Sequence, residues 1–277
     1  MIFSWWTRLS AAWQAMVIVP IVTGLAGGLV AIFFNVYGAE ISDTIQSGPP
    51  LRVTVDVRDS ALEGGYFRLP GRIPAKNGKV DQWDLQNDTK LLKDAIDIGH
   101  SLIQLTIEGR RSHTIAITDI RAKIVKRTAP QDGGTLFITP SQGSEDAPLM
   151  GVSLDDPSLR AREQGGNNYL LRPYFDGHSI TVTDGEVVTL LVKPSSYRDD
   201  VVYYLTLEIV VDGKKTTMAV GNGHPFRTMG YATRYDDVYK PDDETPGLLE
   251  ETDLGEACKE IAQCKPIRIS HGATRRK

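Results

Sequence analysis

The segment 223–228, Gly-His-Pro-Phe-Arg-Thr, holds the residue types nearest to a binding site. The guanidinium of Arg227 presents a planar fork of donors that suits a carboxylate or phosphate, and Phe226 beside it supplies an apolar wall. His224 and Tyr231 flank the pair, so the candidate ligand-binding residues are His224, Phe226, Arg227 and Tyr231. The competing expectation is an edge strand with Phe226 in the core and Arg227 on the surface. Tyr231, Tyr235 and Tyr239 recur every fourth residue and would form a stripe on a helix. Gly230, Thr233 and Asp236-Asp237 argue against that helix, so an extended segment laid over the domain is expected.

Carboxylates cluster at Asp155-Asp156, Asp199-Asp200, Asp236-Asp237 and Asp242-Asp243-Glu244. Such pairs form turns and solvated charge, hold calcium when several oxygens converge, or serve a glycosidase when two stand ~5–9 Å apart across a cleft. None has EF-hand spacing. The five histidines, His100, His113, His178, His224 and His271, show no H-x-H or H-E-x-x-H spacing that would set two imidazoles on a zinc ion. There is no G-x-S-x-G elbow, no Walker-type loop and no G-x-G-x-x-G. No metal, cofactor or catalytic residue is therefore assigned.

Cys258 and Cys264 are the only cysteines. On a continuous helix they would point to different sides, so a bridge requires the helix to end between them, and Pro266 shows that it ends nearby. In an oxidising compartment a disulfide is expected, stapling a short loop for roughly 2–2.5 kcal/mol.

The elements that position these residues begin with an apolar stretch. From Leu9 to Ala39 there is no charged residue, and Ala15 to Val36 is about the ~20 residues needed to cross hydrocarbon. Trp5, Trp6 and Trp13 at one end and Tyr37 at the other suit the two interfaces. The expected organisation is a cytoplasmic tail 1–10, a membrane helix 11–37 embedded in the lipid bilayer and a linker 38–50. Arg8 precedes the span while Glu40 and Asp43 follow it, which places the tail in the cytoplasm and the remainder outside. A cleaved signal peptide is the alternative, but the apolar run exceeds the usual ~7–15 residues. Gly24 and Gly28 form a G-x-x-x-G through which two helices could pack into a homodimer; the alternative is a smooth face with no partner.

With 31 Lys+Arg against 35 Asp+Glu in 277 residues, the chain lacks the basic footprint of a nucleic-acid binder. Beyond the linker the pattern is β. Leu51, Val53, Val55 and Val57 alternate with Arg52, Thr54, Asp56 and Arg58, and Ile103, Leu105 and Ile107 share a face. Residues 113–127 form one bulged strand or two joined strands. A short helix is expected over 89–98 with Asp88 as N-cap. Asp212-Gly213 between two β-rich runs predicts a type I′ hairpin pairing Leu205 with Val220, Leu207 with Met218 and Ile209 with Thr216. These signals predict a mainly β fold: an antiparallel β-sandwich, immunoglobulin-like or related, over 51–240, as one sandwich or two small ones. An acidic tail with a short helix and the cysteine pair is expected over 241–277.

The segments 102–109 (LIQLTIEG), 115–127 (IAITDIRAKIVKR) and 223–228 (GHPFRT) resemble a group of uncharacterised actinobacterial proteins with one membrane span and an exported β-rich domain. This chain lacks the extra cysteines associated with that group. The resemblance implies an anchored β domain and no activity. The function expected is non-enzymatic binding of an envelope protein or glycan through loops or a sheet edge; the alternative is an anchored glycosidase-like hydrolase.

Overall fold

The computed structural model of the chain describes residues 48–58, 64–139, 147–165, 169–221, 223–260 and 268–269. The expected tail, membrane helix 11–37, its Gly24 and Gly28 seam, most of the linker and Cys264 lie outside the described residues. Among the described residues no helix is long and apolar enough to cross a membrane.

The fold is mainly β, in three sheets. The first runs β1 (Leu51–Arg58), β5 (Leu102–Gly109), β12 (Val187–Ser195), β8 (Leu149–Ser153), β9 (Arg162–Gln164), β10 (Tyr169–Pro173) and β18 (Arg268–Ile269). The second runs β11 (Ile180–Val182), β6 (Ile115–Thr128), β13 (Asp200–Val211) and β14 (Lys214–Ala219), with β15 (Phe226–Met229) also paired to β13. Alternation decides which faces meet. Ile103, Leu105 and Ile107 of β5 and Leu205, Leu207 and Ile209 of β13 are completely buried, and both sheets contribute to one apolar cluster.

The hairpin stands as its turn predicts: Asp212 and Gly213 adopt φ of 51° and 73°, and Leu207 pairs with Met218 and Ile209 with Thr216. Residues 115–128 form a single strand. The β6–β13 register slips between Glu208 and Ile209, opposite Thr118, which is the bulge that the double alternation implied.

The third sheet runs β3 (Lys79–Asp81), β17 (Leu248–Thr252), β16 (Asp237–Pro241), β7 (Thr135–Thr139), β2 (Gly65–Leu69) and β4 (Ile96–Asp97). It is covered on both faces. Phe67, Phe137 and Tyr239 stack in sequence at 5.2 and 5.4 Å beneath Leu85 and Leu91 of α1 (Gln82–Asn87) and α2 (Thr89–Leu92). Leu136, Ile138 and Val238 point the other way, onto Met229, Ala232 and Ala257, the last in α3 (Leu254–Glu260).

The structure differs from the sequence expectation in three respects. The segment read as an acidic tail supplies β17, paired with β16 on one side and β3 on the other, because Leu249 buries in the sheet while Glu250 and Glu251 lie more open. The helix expected over 89–98 stops at Leu92, since Ile96 enters β4 and Ile98 buries against Met229; its Asp88 cap is present, accepting from the Leu91 N–H at 3.0 Å. Finally, β8–β12, β7–β16 and β10–β18 pair in parallel while the other ladders are antiparallel.

Candidate functional site

Strand β1 lies at one end of the first sheet and, among the described residues, pairs on one side only, with β5. Its free edge carries outward-directed N–H and C=O groups. Across from it runs the chain that leaves the hairpin, from Met218 to Arg227. Gly221 at φ 86° turns this chain, the His224 N–H donates to its carbonyl at 2.9 Å, and the turn seats the Phe226 ring against it.

Two cavities occupy the space between these segments. One, of about 600 Å³, lies between Leu51–Val55 and Met218–His224. The other, of about 500 Å³, continues from Val57 and Pro225–Arg227 to the loop after α2. Residues of the same two segments line both, so the β1 groove has a Leu51 end and a Val57 end. Val53 and Val55 are half-buried on the core, and Val57 is 48% exposed.

The groove is electrically uneven. Arg52, Arg110 and His224 line the Leu51 end, which has no carboxylate in its wall. At the Val57 end Lys93, Asp94 and Asp97 all line the wall, and Arg227 is neutralised by Asp200. The Arg227 Nε and Nη2 donate to the two Asp200 carboxylate oxygens at 2.8 and 2.6 Å, and this pairing holds the guanidinium above its ordinary pKa. The fork expected to clamp a ligand is thus already filled from within the fold. Phe226 packs on Tyr203, ring centres 5.8 Å apart, and adds both to the core and to the groove wall.

At the base of the same end, hydrogen bonds link Ser101 Oγ to Thr228 Oγ1 at 2.7 Å and Thr228 Oγ1 to Tyr203 Oη at 3.0 Å. Burial pushes the Tyr203 phenol well up, so it stays neutral. The charge of Asp97, which lines the same cavity, adds to the rise.

His224 lines the first cavity, and Phe226 and Arg227 line the second. Tyr231 does not join them. Its ring lies 6.5 Å from Tyr66 and against Gly99, and its hydroxyl is buried without a hydrogen-bond partner among the described residues. Tyr235 and Tyr239 are buried too, Tyr235 Oη accepting from the Ala232 N–H at 3.1 Å. The tyrosine-bearing segment is extended as expected but packs into the fold.

The carboxylate pairs are spent on structure. Asp155 accepts the Tyr197 N–H at 2.8 Å, Asp156 holds Arg162 at 3.4 Å, Asp199 holds Arg127 at 2.8 Å and Asp236 accepts the Gly134 N–H at 2.7 Å. Asp242 binds Lys79 and closes a turn by accepting the Glu244 and Thr245 N–H groups, which lowers its pKa. Among the described residues no group of three His, Cys, Asp or Glu side chains gathers to hold a metal ion. Cys258 is not a free thiol; Cys264 lies outside the described residues.

Sequence reasoning marked β1 as a strand but not as an edge, since edge position is a property of topology. Asp119 was also missed. It is buried beneath the β6 bulge, with Arg160 Nε at 2.7 Å and Arg121 Nε at 2.9 Å. Compared with protein-family models and with curated proteins, the chain finds no match.

Proposed function

We propose that this chain is a non-enzymatic, membrane-anchored binding protein whose extracytoplasmic β domain takes an extended polypeptide segment into the groove along β1. The observation that carries this reading is the free β1 edge with Val53, Val55 and Val57 beneath it and the 218–227 wall opposite. Such an edge supplies main-chain partners for affinity and side-chain pockets on alternate residues for selection. This favours a polypeptide over a glycan, which has no ladder to offer. In this reading the first two sheets form a β-sandwich of immunoglobulin-like or related type, held outside by residues 11–37. The third sheet is an addition to it. The resemblance to actinobacterial single-span proteins belongs to the same reading.

The hydrolase alternative has less support, because the adjacent carboxylates hold arginines, a lysine and turn N–H groups.

Two measurements test the proposal on the full-length protein. The first titrates the detergent-solubilised chain with labelled extended peptides and with oligosaccharides, alongside Val57→Lys, a change at an exposed groove residue. Peptide binding weakened at least tenfold by Val57→Lys supports the groove; cleavage of any probe overturns the non-enzymatic reading. The second follows a C-terminal tag and maleimide labelling in intact and lysed cells. Digestion in intact cells, with thiols appearing only on reduction, is the expected result. Protection until lysis with free thiols would place the domain in the cytoplasm.

A further inference from the structure

We propose that the occupant of the β1 edge is a second copy of this chain, its own β1 added antiparallel in the register that sets Thr54 opposite Thr54. The inference rests on the groove reading above and names its partner.

The strand's residues select both the arrangement and the register. On its outer face β1 presents Arg52, Thr54 and Asp56, all exposed, and on its inner face Leu51, Val53, Val55 and Val57. A two-fold axis through Thr54 brings Arg52 opposite Asp56 of the other copy twice over, with Val53 opposite Val55 and Leu51 opposite Val57. Cross-strand pairs of opposite charge and of β-branched residues stabilise a ladder. A shift of two residues in one direction sets Asp56 against Thr54 and takes Arg52 away from it. A shift of two in the other direction sets Arg52 against Thr54 and Asp56 against Pro50, so neither cross-strand ion pair forms. A shift of one turns the partner's valines outward.

The rest of the first sheet continues the same rows. Arg52 already faces Glu108 of β5, its guanidinium 3.8 Å from the carboxylate, so the second copy would complete a row of alternating charge. Thr54 lies beside Thr106 of β5, and Thr106 beside Thr189 of β12. Pairing through Thr54 would join two such threonine rows end to end across the junction. It would also cover Val57, one of the most exposed large apolar residues among those described. An edge that is long, β-branched and self-complementary is a template for its own kind.

The test uses the full-length chain in detergent. Self-association is measured by sedimentation for the wild type, Arg52→Asp, Asp56→Arg and the double exchange, and Thr54→Cys is oxidised and mapped by mass spectrometry. Opposed residues in an antiparallel pair have Cα atoms about 4.5–5.5 Å apart, within disulfide reach. The expected result is that each single reversal weakens association about tenfold or more. The double exchange recovers it to within about threefold, and Thr54→Cys links to itself while Val57→Cys does not. Association indifferent to these charges, with no 54-to-54 link, overturns the second copy, including the case where the membrane segment alone holds a dimer. A labelled peptide of residues 50–58 separates the two readings. If that peptide fails to bind but an unrelated extended peptide binds and is blocked by Val57→Lys, the self-pairing falls and the groove stands. If no peptide binds and Thr54→Cys does not link, both fall.

Discussion

Arg227 and Asp200 sit on one face of the β13–β15 ladder, joined by two parallel hydrogen bonds, with the Asp200 side chain 9% exposed and that of Arg227 42% exposed. The asymmetry in burial makes the two ends of the pair unequal. Removing Arg227 strands a nearly buried carboxylate, whereas removing Asp200 releases a guanidinium that can turn to water. Arg227→Ala is expected to cost about 2 kcal/mol and Asp200→Ala about 1 kcal/mol, with the double variant more stable than Arg227→Ala alone. Urea unfolding of the three variants checks this; equal costs for the single changes would show that burial does not govern the pair.

Asp119 anchors the β6 bulge by holding Arg160 and Arg121 while one of its oxygens accepts the Ile120 N–H at 3.0 Å. With its side chain 2% exposed it is the most enclosed charge of that group. Asp119→Ala is expected to destabilise by about 3 kcal/mol, and Asp119→Asn by less, since the amide oxygen can still accept. Thermal unfolding of both variants decides it. A cost near zero would make the bulge independent of its carboxylate.

The hairpin turn permits a prediction free of packing effects. Gly213 has φ of 73° and nothing within 4 Å of where a Cβ would stand. Gly213→Ala therefore meets no neighbour, and its cost is that of holding an L side chain in the left-handed region, about 1–2 kcal/mol. A Gly213→Asn variant should recover most of it, because Asn tolerates that region. Denaturation midpoints of the two variants measure the difference.

Two groups give the fold a stepped response to acid. His100 stands edge-on to Tyr66 at 5.9 Å, and desolvation together with the charge of Lys193 brings its pKa down to about 3. A group depressed by folding stabilises above its unfolded pKa and ceases to do so as pH falls through the folded value. Stability should therefore decline from about pH 6.5 towards pH 3, and His100→Gln should flatten that limb. Asp242 is also depressed, chiefly by its hydrogen bond to Lys79, so its contribution is lost only below its ordinary value near 3.8, and Asp242→Asn should remove this lower limb. Stability against pH for the wild type and both variants tests the order; a flat wild-type profile between pH 6.5 and 4 would refute the His100 part.

Much of the fold was legible where one face of a strand is wet. In β1, β5, β6 and the Asp212-Gly213 hairpin the alternation marks the buried face, and the turn fixes the register. The third sheet was hard to read because both its faces are covered. Gly65–Leu69 shows almost no exposed position, so it has no alternation to mark it as a strand. Ile96 and Ile98 fit a helix by spacing, and only their contacts in β4 and with Met229 claim them for the sheet. For the site, the closeness of His224, Phe226 and Arg227 in sequence was legible, and they line two different cavities. The engagement of Arg227 with Asp200 was not, because Asp200 is distant in sequence and arrives through the ladder with β15.

The position of β17 also sets a timetable. This strand, from residues 248–252, lies between β16 and β3, and β3 is made from residues 79–81. A ribosome delivers the chain from its amino end, so β3 must wait until residues 248–252 are made before its neighbour exists. Closing so long a loop is slow, and contacts of such sequence separation dominate folding rates. The third sheet is thus completed only once residue 252 has been made, and a chain cut at residue 240 would leave β3 without β17 to join.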